Sequence, residues 1–122
     1  MNTMNSKYVI TGLFFLFIIL SGFWLSRSGK PYNMLISAVH KLIGVGVGVY
    51  LVRMVILAHK ASSLTSSGII TVVVTVLLFI SLVATGGLLS AEKTMPVALT
   101  VIHKVLPYLT VISTGVTIYI LS

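Results

Sequence analysis

The sequence predicts an all-α membrane protein, a four-transmembrane-helix up-down bundle, and three observations predict it. Of the 122 residues, 57% are hydrophobic and 7% charged, which leaves a chain this small too little polar surface to face water. The apolar residues gather into four runs, each near the length of about 20 residues that crosses a bilayer's hydrocarbon core as a helix. The connections are too short to hold a soluble domain, and short enough to make consecutive helices antiparallel. A mean hydropathy of +1.17 agrees, and the length allows one membrane domain, residues 1–122.

The first run is Tyr8 to Leu25, closed by Ser26-Arg27-Ser28-Gly29-Lys30-Pro31. It follows Lys7 as the apolar part of a signal peptide would. It is long for that role, however, and the bulky Gly22-Phe23-Trp24-Leu25 stands where a small-residue cleavage site would be needed, so a retained helix is expected. The second run spans Met34 to Ala58, and Ala61-Ser62-Ser63-Leu64-Thr65-Ser66-Ser67 follows it. The third spans Gly68 to Ser90 and ends at Ala91-Glu92-Lys93-Thr94. The fourth starts at Pro96, a residue suited to a helix's first turn, and runs to Leu121. Although rich in β-branched residues, these runs should be helices, because lipid offers the backbone no hydrogen-bond partners.

Eight Lys/Arg residues face a single acid, Glu92, for a formal charge of +7. The cations stand singly near the ends of the apolar runs, where they anchor helices to headgroups rather than form a nucleic-acid surface. Arg27, Lys30, Lys41, Lys93 and Lys104 fall on one side, and Lys7, Arg53 and Lys60 on the other. This balance puts the first group in the cytoplasm and both termini outside, in a prokaryotic cell membrane. The absence of cysteine excludes disulfides, thiolate metal sites and iron–sulfur clusters. One carboxylate and no Ser-His-acid set argue against hydrolytic catalysis.

The informative feature is a repeated dipeptide, His40-Lys41 in the second run and His103-Lys104 in the fourth. Each histidine lies about 9–10 Å inside its helix at 1.5 Å per residue. In an up-down bundle, helices two and four run in the same direction and sit diagonally. Both imidazoles are then expected at one depth, facing each other across the interior. The 63-residue separation suggests that each half repeats a two-helix unit. Ionisable side chains inside a membrane are costly and usually functional, and two histidines at one depth are what bis-imidazole haem ligation requires. At 100° per residue the His40 face continues through Gly44, Val47 and Leu51, and the His103 face through Pro107, Thr110 and Thr114. Gly22, Gly86 and Gly87 should lie at a similar level, where glycine lets a flat ring approach the backbone. Lys41 and Lys104 point off the ligand face, with stems long enough to reach the headgroups. Haem propionates on that side would meet these lysines together with Arg27, Lys30 and Lys93.

Plainer readings exist for each residue. Gly44 and Gly48 form a Gly-x-x-x-Gly spacing that serves ordinary helix packing, and a membrane histidine can simply bond a hydroxyl or carbonyl across an interface. His59 lies near the opposite face, about 100° from the His40 face, with no second histidine opposite it. It is expected to be interfacial, and a role with Arg53 toward an anionic or quinone headgroup is the alternative.

In architecture, in His40 and His103, and in the glycines at their level, the chain resembles the four-helix membrane cytochromes b. That resemblance implies one haem b on His40 and His103 as metal ligands, with Gly22, Gly44, Gly86, Lys41 and Lys104 around it. Many such proteins stack two haems on four histidines, whereas this chain has one matched pair. The activity implied is electron transfer between a membrane donor such as quinol and a redox partner, by the chain alone, as a homo-oligomer or as a subunit of a larger oxidoreductase. Two other classes compete. A small transporter or channel would use the histidines as proton relays, although no intramembrane carboxylate accompanies them. A cofactor-free anchor would only assemble partner subunits.

Overall fold

In the computed structural model the described residues are 3–29, 32–91 and 96–121. They form four α-helices: α1 (Thr3–Ser28), α2 (Met34–Ala61), α3 (Ser66–Ser90) and α4 (Val97–Leu121). No strand occurs among the described residues. Each helix is long and apolar enough to cross a bilayer, and the chain is an all-α, multi-pass membrane protein. Lys30, Pro31, Glu92, Lys93 and Thr94 lie outside the described residues.

The helices outrun the apolar runs that announced them. Ser26, Arg27 and Ser28, expected in a turn, belong to α1. The Ser28 hydroxyl donates back to the Leu25 carbonyl at 3.2 Å, and the Arg27 guanidinium lies 5.7 Å from the centre of the Phe23 ring. An apolar run measures the hydrocarbon slab, whereas a helix continues into the headgroup layer wherever its polar residues can bond or stack. At Gly29 the backbone turns to φ +69°, and the Gly29 N–H donates to the Leu25 carbonyl at 3.1 Å, a glycine-dependent helix end.

Side-chain caps set the starts of α2 and α3. Asn33 Oδ1 accepts from the N–H groups of Leu35 and Ile36 at 2.9 and 3.1 Å and so starts α2. Thr65 Oγ1 accepts from the Gly68 N–H at 3.1 Å, which starts α3 at Ser66, ahead of the apolar run. Pro96 immediately precedes α4, and its carbonyl accepts from the Leu99 N–H at 3.1 Å.

The chain divides into two compact units, Met1–Ile56 and Leu57–Ser122, with the boundary inside α2. In the first, α1 and α2 form an antiparallel hairpin. A Cβ at Gly44 would meet Ile18 at 3.4 Å, and one at Gly46 would meet Phe14 at the same distance. The Phe14 and Tyr50 rings lie 5.7 Å apart, tilted by 41°. In the second unit, α3 and α4 form another antiparallel hairpin. A Cβ at Gly68 would touch Leu121 at 3.4 Å, and hydroxyls join the two helices midway. Thr75 donates to the Thr71 carbonyl at 2.7 Å, and its oxygen lies 2.6 Å from Ser113 Oγ and 3.1 Å from Thr117 Oγ1. The outer surface is apolar: Phe17, Trp24, Val45 and Ile112 are each more than half exposed. Such a surface belongs against lipid tails.

Candidate functional site

The two histidines occupy equivalent places. His40 is the seventh residue of α2 and His103 the seventh of α4. Each is half-buried and turned toward the other helix of its own hairpin.

In the first hairpin, His40 Nδ1 lies 2.8 Å from Ser21 Oγ. The next residue, Gly22, faces the same imidazole, and a Cβ there would lie 3.0 Å from His40 Cε1. In the second hairpin, His103 Nδ1 lies 2.7 Å from Thr85 Oγ1, and a Cβ at Gly86 would lie 3.0 Å from His103 Cε1. A Cβ at either position would be a tight contact, and the imidazole would have to give by a few tenths of an ångström; glycine avoids it. Each seat is thus a hydroxyl–glycine pair near the end of the hairpin's first helix, receiving a histidine near the start of its second. Nδ1 is the engaged ring nitrogen in both.

The structure therefore brings Gly22 together with His40, and Gly86 with His103. The flat ring against each glycine is the imidazole itself. Gly44 meets Ile18 of α1, an ordinary packing contact, and a Cβ at Gly87 would meet nothing within 4 Å. Lys41 and Lys104 are exposed beside their histidines. His59 and Lys60 are exposed in the last turn of α2, and Arg53 is exposed along the same helix.

Ser21 and Thr85 were not singled out from the sequence, yet a signal was there. Ser21-Gly22-Phe23-Trp24-Leu25-Ser26 corresponds to Thr85-Gly86-Gly87-Leu88-Leu89-Ser90 at an offset of 64, while His40-Lys41 corresponds to His103-Lys104 at 63. The offset slips by one between the helices of the unit, and this slip hides the repeat from a gap-free comparison.

Among the described residues, no three His, Cys, Asp or Glu side chains group as a metal-ion site. No family model, curated protein or solved structure matches the chain.

Proposed function

We propose that the chain is a membrane b-type cytochrome that carries one haem on His40 and His103. The observation that carries this reading is the duplicated imidazole seat: same helix position, same engaged nitrogen, same glycine under Cε1. The donor set fits the group. A bare metal ion would need three or four protein ligands, whereas a haem would ask the protein for only two, which His40 and His103 would provide. The repeat supplies two equivalent imidazoles. Held by the two histidines, a haem would supply one-electron transfer rather than oxygen chemistry.

The chain's own residues have distinct parts in this reading. His40 and His103 hold the group, and Ser21-Gly22 and Thr85-Gly86 hold the histidines. Gly44 is close enough in sequence to the His40 face to border the group. Lys41, Lys104 and Arg27 offer cations to its carboxylates. The electron donor is a membrane reductant such as a quinol, and the acceptor is a partner subunit, a second copy or a separate redox protein. The excess of cations around the first and third loops supports an orientation with those loops in the cytoplasm of a prokaryotic cell and both termini outside.

A second reading has an observation of its own. Each histidine bonds a hydroxyl, and such bonds join membrane helices without any cofactor. The absorption spectrum of protein purified after expression with ample haem separates the two. Soret and α-bands that sharpen on reduction are expected. Their absence would overturn the cytochrome reading and leave the cofactor-free anchor.

A further inference from the structure

We infer that Ser21 and Thr85 are positioning residues, which fix the neutral imidazoles of His40 and His103 in the Nδ1-protonated tautomer and so make Nε2 the ligating nitrogen. This deepens the cytochrome reading and rests on it for its use, although the placement of the protons does not.

A hydroxyl has one proton to give. Ser21 Oγ donates within its own helix to the Ile18 carbonyl at 3.0 Å. Thr85 Oγ1 donates to the Ser81 carbonyl at 2.8 Å and approaches the Leu82 carbonyl at 3.1 Å. With that proton committed to the backbone, each oxygen turns only lone pairs toward the imidazole, 2.8 Å away in one seat and 2.7 Å in the other. Nδ1 must therefore be the donor. A neutral imidazole has a single ring proton, so its Nε2 carries the lone pair. The opposite tautomer would set lone pair against lone pair, or force the hydroxyl off its carbonyl.

The two seats reach this result separately. One uses serine and the other threonine, and the sequence distance to the histidine is 19 residues in one and 18 in the other. In both, a glycine leaves free the space that Cε1 needs for the ring to sit on its hydroxyl. Fixing one tautomer through a bond to the second ring nitrogen is how a protein prepares a histidine for a metal, and such an acceptor also makes the ligating nitrogen more basic. A histidine serving only to join helices has no need of a particular tautomer.

The test has two arms. In the full chain without haem, labelled with ¹⁵N-histidine in lipid nanodiscs, His40 and His103 should each show a protonated Nδ1 and an unprotonated Nε2. Assignment comes from His40→Gln and His103→Gln, with exposed His59 as the internal reference. Ser21→Ala and Thr85→Ala should each return their own histidine to a tautomer mixture, and Ser21→Thr and Thr85→Ser should restore it. An Nε2-protonated ring in the wild type, or alanine variants that leave the tautomer unchanged, would overturn the inference. In the haem-loaded protein the alanine variants should retain haem about 10-fold less tightly and shift the midpoint potential positive, since a less basic ligand stabilises oxidised iron less. An unchanged potential also overturns the inference. If the tautomers are as stated and no haem binds, the cytochrome reading fails and the positioning of the imidazoles stands.

Discussion

The two hairpins agree at one end and part company along their length. Thr11 of α1 and Thr75 of α3 stand at the same offset of 64 as the two seats, and both are buried. Thr75 has Ser113 and Thr117 of α4 to bond. At the offset of 63 the corresponding residues of α2 are Tyr50 and Met54, and Thr11 Oγ1 has no hydrogen-bond partner among the described residues. One hairpin keeps a hydroxyl cluster between its helices. The other closes on Phe14, Gly46 and Tyr50 and leaves the matching threonine unbonded, as Thr114 is left elsewhere in the second hairpin. Midway packing tolerates either solution, because hydroxyl bonds between membrane helices contribute little more than good apolar contact. The imidazole seat repeats in both, with a hydroxyl on Nδ1 and a glycine facing Cε1. Divergence in the one place and agreement in the other locate the constraint at the histidines.

The strongest way to break this comparison is to remove the histidines one at a time. His40→Ala and His103→Ala should each abolish the low-spin haem spectrum, while His59→Ala should leave it intact. A variant that kept the spectrum would make one seat dispensable and end the equivalence. A milder break acts on the glycines. Gly22→Val and Gly86→Val place a side chain where a Cβ alone would lie 3.0 Å from Cε1. Haem content per protein should fall several-fold in both, against little change for Gly44→Ala, whose Cβ would only touch Ile18. The smallest effects should differ between hairpins. Thr75→Val removes bonds to α4 and should destabilise the protein by about 1 kcal/mol. Thr11→Val removes a buried hydroxyl with nothing to bond and should leave stability unchanged or raise it by about 1 kcal/mol. Unfolding in mixed detergent–SDS micelles reads both, and equal losses would contradict the difference between the two threonines.

Much of this was legible in the sequence. The four helices were, because lipid enforces helices wherever about 20 apolar residues run together. Their ends were less so: Ser26, Arg27 and Ser28 read as a turn, yet they continue α1 by bonding and stacking on it. His40 and His103 stood out as paired ionisable residues in apolar helices. Gly22 and Gly86 were legible as glycines at the same level, but which ring they accommodate depends on hairpin register. Ser21 and Thr85 were the hardest to see. Hydroxyl residues are scattered through all four helices, and most satisfy themselves on a carbonyl three or four residues back, as Ser81, Ser90 and Thr110 do. Only the antiparallel register shows which of them meets a histidine.

Each seat also closes over a short stretch of chain, 19 residues in the first hairpin and 18 in the second. During synthesis the first imidazole can therefore find its hydroxyl as soon as α2 has entered the membrane, before α3 has left the ribosome, because sequence-local contacts form early and N-terminal segments fold first. The nascent protein thus completes its two imidazole seats in succession, each finished by the insertion of a single helix.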